Sequence, residues 1–574
     1  MPSSHRHTTT YDSNRIGGNA IAILGNVQGD IHFPERSGEP SPHQCLRDLR
    51  VTDPRDDRAR IEGDKDRLLR DCYAWILDDD SFQQWRTQDA SRLLWIKGDP
   101  GKGKTMMAMG VIDELSRSRL PHEALPEAPE LSDNSTPLVS FFFCQSTIPA
   151  LNNAVSVLRG LIYMLVKQRD SLLRYVQEEY KTAGKQLFNS YNAVYSLRSI
   201  LSNILNDASL PPMYLLVDAL DECTSGLSEL LHIITDTSLG RQSRVKWLVT
   251  SRNIPEIERQ LRPDVTCIKI SLEASAGYVS KAVAAFVEYK VQRLATAQKY
   301  DARLRAEVQQ QLRDKAEGTF LWVSLVCKEL GSVPLCLIQK VLQELPPGLD
   351  SLYERMMGQI LTYSDALIAQ SCKAILRSVM LAYRPLRLQE VKITAGLPND
   401  YFDHVKVVGD MISHCGSFFT VRDSTLFFVH LSAKDYFTSG KSREVLEGTL
   451  AEQHRRAAWR LLDAMDSTLR RDMCRLQKPG VRIQEAKSRV QDSCLPQIAY
   501  ACEYWMEHVQ AGGHACSDML ADGGKVHRFF QKHLLHWLEA MSLLQKMPEA
   551  ILALQKLEVA LNVSHRLARQ VCFY

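Results

Sequence analysis

Residues 98–105 read Gly98-Asp99-Pro100-Gly101-Lys102-Gly103-Lys104-Thr105, and no other stretch constrains the chain so tightly. They fit the pattern G-x-x-x-x-G-K-[ST], in which a glycine-rich loop wraps a chain of phosphates. The apolar run Leu93-Leu94-Trp95-Ile96 precedes them and reads as a buried strand, and residues 106–115 contain no Pro and continue as a helix. The residue types follow from the ligand. A triphosphate is a dense anion, so Gly101 and Gly103 let the backbone approach it, successive N–H groups donate to its oxygens, and the helix start adds partial positive charge. Lys104 then reaches the β- and γ-phosphates, and the Thr105 hydroxyl ligates Mg²⁺. The loop reads phosphates only, so ATP and GTP are equally compatible with it.

From 92 to 272, strand-like apolar runs alternate with helical stretches, the signature of parallel βαβ units. Strands are expected at 93–97, 138–144, 213–218, 245–251 and 267–272, and a surface loop at 120–137. The third strand ends in Asp218, followed by Ala219-Leu220-Asp221-Glu222. Set beside the first strand, Asp218 falls at the C-terminal edge of the sheet, where α/β proteins bind ligands, and holds Mg²⁺ through water. Asp221 or Glu222 is then positioned to polarise an attacking water. The fourth strand runs into Arg252. A guanidinium there reads a γ-phosphate bidentately, or else it caps the strand or pairs with a carboxylate.

The rest of the chain is read by pattern. At 574 residues it holds several domains. Its 70 Lys and Arg nearly balance 67 Asp and Glu, which gives no electrostatic case for a nucleic acid or an anionic membrane as partner. The absence of a membrane-length apolar run and the polar start Met1-Pro2-Ser3-Ser4-His5 point to a soluble, cytoplasmic chain. Fourteen Cys, none in a C-x-x-C pair, read as reduced, buried thiols. The expected organisation is a leader at 1–40, a helical lead-in at 41–90, an α/β P-loop domain at 91–272 and a helical domain at 273–350. A winged-helix domain at 351–440 follows, with a hairpin of 417–421 and 425–429, and then a C-terminal helical domain at 441–574. Within the leader, residues 14–33 repeat a Gly-Asn step (Gly18-Asn19, Gly25-Asn26) around short β-favouring runs. That spacing suits stacked strands with Asn ladders, or equally a leader without a core of its own.

In this order and spacing, GDPGKGKT, LLVDALDEC and LVTSR resemble the NACHT domain of fungal STAND-class signalling NTPases, relatives of the NOD-like receptors. The stretches CLRDLRVTDPRDDRARIE, GTFLWVSLVC, LPPGLDSLYERMM and FFVHLSAKDYF extend the resemblance over about residues 43–574. The resemblance implies a parallel sheet of order 5-1-4-3-2 and a winged-helix domain closing over the nucleotide. In that family a winged-helix His contacts the diphosphate, ADP or GDP, of the resting state, and the matching position is His430. From the residues alone, His430 is a strand-end histidine with a structural role. The family's adenine-side Pro falls at Pro334 or Pro346.

The resemblance further implies slow hydrolysis, self-association on activation, and a role in fungal non-self recognition or programmed cell death. Family members carry a repeat array after this point, and none is expected before Tyr574. Residues 14–33 resemble short amyloid-forming signalling motifs, so a downstream effector with a matching motif is an expected partner. Other classes remain open: a P-loop kinase would need an acceptor pocket, an AAA-type motor would turn over rapidly, and a dead scaffold would not need Lys104, Thr105 and Asp218 together.

Overall fold

The computed structural model describes residues 42–571 apart from 66, 118–135, 240–243, 262–266, 399–401, 403, 441–444, 446 and 478–479. Residues 14–33 and nearly all of the expected loop at 120–137 therefore lie outside the described residues. Helix α1 (Pro54–Lys65) leads in to strand β1 (Leu93–Lys97), and helix α2 (Lys104–Arg117) starts directly after Gly103. Strands β2 (Leu138–Phe143), β3 (Met213–Asp218), β4 (Val245–Ser251) and β5 (Cys267–Ser271) complete a five-stranded sheet of order β2-β3-β4-β1-β5, all parallel. This is the 5-1-4-3-2 order. Strand β4 lies between β1 and β3, so the acid-tipped strand is one place farther from the phosphate loop than the residues alone suggested.

A parallel sheet needs both faces covered, and the two-residue period of the strands sorts their side chains accordingly. Leu93, Trp95, Phe142, Leu215, Val217, Trp247 and Val249 enter one core on one face. Their alternates Leu94, Ile96, Phe141, Phe143, Leu216, Leu248 and Ile270 enter a second core, which runs on without a break into the helices beyond the sheet.

Those helices are α3 (Ala276–Gln298), α4 (Ala302–Lys315), α5 (Phe320–Ser332), α6 (Ala366–Leu381), α7 (Leu388–Ala395) and α8 (Val405–His414). A small antiparallel sheet of order β6-β8-β7 follows the winged-helix pattern, built from Leu386–Arg387, Thr425–Phe428 and Phe419–Arg422 in that order. The hairpin strands start and stop within two residues of the expected bounds, and the turn between them holds Asp423 and Ser424 at φ +45° and +57°. Strand β6 is two residues long and carries no periodic signal. Helix α9 (Leu431–Thr438) follows, and α10 (Leu450–Thr468), α11 (Leu495–Gly512) and α12 (Lys525–Leu543) pack around Trp505 and Trp537, both fully buried. No helix among the described residues is long and apolar enough to cross a membrane. Twelve of the cysteines they include are buried or half-buried and Cys336 is exposed, all as free thiols.

Candidate functional site

Parallel strands point their C-terminal ends the same way, and at that edge a cavity of about 550 Å³ opens. Its walls come from the phosphate loop, the ends of β3 and β4, the end of α1, the first turn of α5, and the wing strands with His430.

The loop is shaped by its glycines. Gly101 and Gly103 stand at φ +78° and +85°, where a side chain would strain the backbone. They serve a second purpose as well. A Cβ on Gly101 would come within 2.8 Å of the Thr319 side chain, and one on Gly103 within 2.9 Å of the Phe320 ring. Lys102 Nζ donates to the Glu317 carbonyl at 2.7 Å, so the outer side of the loop is seated on the turn that opens α5. On the inner side, Lys104 Nζ donates to the carbonyls of Gly98 at 2.5 Å and Asp99 at 2.9 Å. Burial lowers the Lys104 ammonium from its ordinary range, against the pull of Asp221 and Asp218. A half-buried cation whose hydrogen bonds among the described residues go to its own loop is placed to exchange those carbonyls for phosphate oxygens. Pro100 and Thr105 line the same wall, while the Asp99 N–H is taken by Glu273 Oε1 at 2.7 Å.

At the end of β3, Thr250 Oγ1 donates to Asp218 Oδ1 at 2.6 Å and accepts the Ala219 N–H at 2.9 Å. Ala219 is held at φ +56°, a conformation that turns the chain sharply after the carboxylate. Burial raises the Asp218 carboxyl above the usual carboxylate range, against Lys65 and the hydroxyls of Thr250 and Thr105. The Asp218–Thr105 pair offers only oxygen donors, which suits a hard cation such as Mg²⁺, and a cation there would offset the burial of the carboxylate. Among the described residues no group of three or more His, Cys, Asp or Glu could hold a metal alone, so such an ion would draw its remaining ligands from phosphate and water.

The next two acids differ. Burial pushes Glu222 up to about 7, even though the Ser146 N–H donates to it at 2.9 Å. Asp221 is occupied by Arg252, whose backbone N–H and Nε donate to its two oxygens at 3.0 and 2.6 Å. The same guanidinium reaches out of the sheet and donates from Nη1 to Asp435 Oδ2 on α9, at 2.5 Å. Arg252 therefore clasps a carboxylate of the nucleotide-loop half to one of the winged-helix half.

His430 caps α9. Its Nδ1 accepts the Ser432 N–H at 3.1 Å and stands 2.8 Å from Ser432 Oγ. Burial, reinforced by Lys65, Lys104 and Arg252, lowers the imidazole to about 3, so it is neutral at physiological pH. Accepting at Nδ1 places the proton on Nε2, which makes the ring a neutral donor on the cavity wall. Lys104, Thr105, Asp218, Asp221, Glu222, Arg252 and His430 thus converge on one space. Pro334 and Pro346 do not line it; the Pro346 carbonyl accepts from Trp322 Nε1 at 3.2 Å instead. Sequence reasoning assigned no role to three groups: Asp435 and the Thr319–Phe320 seat, which lie inside stretches that carry the resemblance, and Lys65 on α1, which lies outside them.

Residues 71–252 match the family described as Nephrocystin 3, N-terminal. The vegetative incompatibility protein HET-E-1 of Podospora anserina is 41% identical over 536 residues, which is 90% of this chain and 38% of that protein. The chain therefore spans well under half the length of this relative. Among solved structures, a Walker-type ATPase of Pyrococcus abyssi is 12% identical, covering 68% of this chain and 99% of its own, with a TM-score of 0.28. A Drosophila ORC structure bound to DNA is 15% identical, covering 73% of this chain and 96% of its own, with a TM-score of 0.25. Likeness at those scores carries no further argument.

Proposed function

The chain belongs to the fungal NACHT-domain P-loop NTPases, and on that premise we propose that it is a nucleotide-gated signalling switch. A purine diphosphate, ADP or GDP, holds the winged helix closed through His430, and exchange for a Mg²⁺ triphosphate, ATP or GTP, opens it for self-association. Bound with the nucleotide, Mg²⁺ would neutralise phosphate charge beside Thr105 and Asp218. The observation that carries this reading is the Arg252 clasp between Asp221 and Asp435. A γ-phosphate is a competing acceptor for the same guanidinium. To read it bidentately, Arg252 must give up Asp435, and the winged helix loses a tether at the moment the terminal phosphate arrives.

Magnitudes keep this from being a one-residue switch. Inverting a 1:99 equilibrium takes about 10⁴-fold preference, about 5.5 kcal/mol. A hydrogen bond from His430 to a charged phosphate contributes about 1.5 to 3 kcal/mol. The Arg252 and Asp435 side chains are 25% and 45% exposed, so their pair adds about 1 kcal/mol at most. The remaining bias falls to Lys104, Thr105, Asp218 and the seating of Gly101 and Gly103 on α5. Hydrolysis resets the switch. With Asp221 occupied, Glu222 is the carboxylate whose near-neutral titration suits a general base for water. Self-association would bring copies of residues 14–33 together at high local concentration, favouring stacked strands and an effector with a matching segment.

Calorimetric titration of the full chain with Mg²⁺ and each purine di- and triphosphate tests the core of the proposal. We expect uptake that Lys104→Ala weakens at least about a hundredfold, the loss of more than one charge-assisted bond. Arg252→Ala is expected to keep diphosphate affinity while losing preference for triphosphate. Folded protein that takes up no purine nucleotide would overturn the reading.

A further inference from the structure

One wall of the phosphate cavity comes from the C-terminal end of α1, to which the sequence assigns no role. The last two turns of α1 touch three separate parts of the molecule. Arg60 Nη2 donates to Gln145 Oε1 just past β2, at 2.9 Å. Asp64 pairs with Arg422 of wing strand β7 at 2.6 Å. Lys65, the final residue of the helix, lines the cavity beside Lys104, Thr105, Asp218, Glu222 and His430.

The charges around that point are unevenly matched. Lys104 is engaged by its loop carbonyls, Arg252 by Asp221 and Asp435, and Arg422 by Asp64. Lys65 has no ion-pair partner among the described residues, yet its ammonium acts through space on Asp218, Glu222 and His430 alike. Those three groups line the cavity where the acids and the winged helix meet. In a nucleotide held by the loop, a γ-phosphate would extend past the β-phosphate toward the acids Asp218 and Glu222, next to Lys65.

We propose that Lys65 is a terminal-phosphate ligand, a specificity-determining residue that favours a nucleoside triphosphate over a diphosphate. The proposal rests on the reading of the cavity as a nucleotide site. An ammonium on a flexible stem suits a terminal phosphate, whose three oxygens accept from any direction. Its position is tied to the winged helix, because Asp64 next to it holds Arg422. Movement of the wing therefore moves the cation, and the lead-in helix becomes a sensor of both the phosphate and the wing.

The alternative role, balancing Asp218 and Glu222 without touching ligand, gives a different signature. Dissociation constants for ADP and ATPγS, and for GDP and GTPγS, are measured with Mg²⁺ on the full chain for wild type, Lys65→Met and Lys65→Arg, alongside unfolding without nucleotide. We expect Lys65→Met to weaken the triphosphate analogue about ten- to a hundredfold, the diphosphate less than about threefold, and Lys65→Arg to restore most of the loss. Equal weakening of both nucleotides, or none, in a chain whose wild type binds both overturns this proposal and leaves the switch standing. Wild type that binds neither nucleotide overturns the switch and this inference together. Lys65 is the exposed last residue of α1, and Lys65→Gln repeats the measurement should Lys65→Met lower the unfolding transition.

Discussion

Two histidines, the half-buried His430 on the cavity and the buried His508 in the C-terminal helices, are driven by desolvation to about the same value, about 3, and mean different things. His508 on α11 is closed off by protein at both nitrogens: Nδ1 meets Nδ1 of His454 at 3.0 Å, and Nε2 meets the Tyr500 hydroxyl at 2.9 Å. That hydroxyl also accepts the Tyr383 N–H at 3.2 Å, and the Tyr500 N–H donates to Glu390 at 3.1 Å. Among the described residues His430 is hydrogen-bonded at Nδ1 only, to Ser432, and the residue lines the cavity. The size of the shift records burial in both. The count of occupied nitrogens separates a histidine that holds the fold from one that can hold a ligand.

The sharpest way to break the comparison is to damage the closed network where it is most charged. Glu390 is fully buried and bound at 2.8 Å on each oxygen by Arg384, with the Arg387 N–H as a further donor. Arg384→Met leaves that carboxylate without its cation and is expected to cost about 3 to 5 kcal/mol. Denaturant unfolding followed through Trp505 and Trp537 checks it. Nucleotide affinity of the folded fraction should be unchanged, and an affinity loss without a stability loss would reverse the assignment of the two regions.

Next comes a crossover between the histidines themselves. His508→Leu strands His454 Nδ1 and the Tyr500 hydroxyl, a loss of about 1 to 3 kcal/mol of stability with no change in nucleotide binding. His430→Leu removes one helix cap, about 1 kcal/mol, and weakens the diphosphate about tenfold or more. Unfolding and calorimetry on the two variants check the pair, and size-exclusion chromatography should find His430→Leu shifted toward an associating form. If both variants lose stability and affinity in the same proportion, the count of occupied nitrogens has no predictive value.

The comparison also marks how far the sequence could be read. The phosphate loop and the five strands are set by short-range chemistry: glycines at two left-handed positions, a Lys-Thr start to α2, and apolar alternation split between two cores, whereas the order of the strands followed from the resemblance and not from the residues alone. Asp218 and Arg252 were legible because one ends and the other directly follows a strand that a parallel sheet must align, and Glu222 because it follows Asp218 on the turn after β3. What decides their roles is not local. Asp435 lies 183 residues from Arg252, and the Thr319–Phe320 turn gives Gly101 and Gly103 a packing duty that reads in sequence as phosphate approach alone. Lys65 looks like one charge among many in a polar helix. His430 was singled out by resemblance, since nothing in Val429-His430-Leu431 distinguishes a capping histidine from a ligand, and Pro334 and Pro346, also named by resemblance, do not line the cavity.

The smallest expected effect is on pH dependence, and its sign follows from the direction of both shifts. A histidine with an ordinary value near 6.5 and a buried value of about 3 binds fewer protons in the native arrangement than when released. Its contribution is complete above about pH 6.5 and is lost as pH falls toward 3, by about 1.4 kcal/mol per unit for each group. Nucleotide-free protein should therefore lose stability between pH 7 and pH 5.5, and His508→Leu should flatten that loss by about one histidine's share. Diphosphate acts on the other residue only. An anion beside Nε2 favours the protonated imidazole, so bound ADP or GDP should raise His430 toward its ordinary value and flatten the acid loss in wild type. Unfolding series at stepped pH, with and without diphosphate, check this. In His430→Asn the nucleotide should no longer change the slope, whereas in His508→Leu it should. A slope that diphosphate flattens equally in His430→Asn would place the responding proton elsewhere and dissolve the distinction between the two sites.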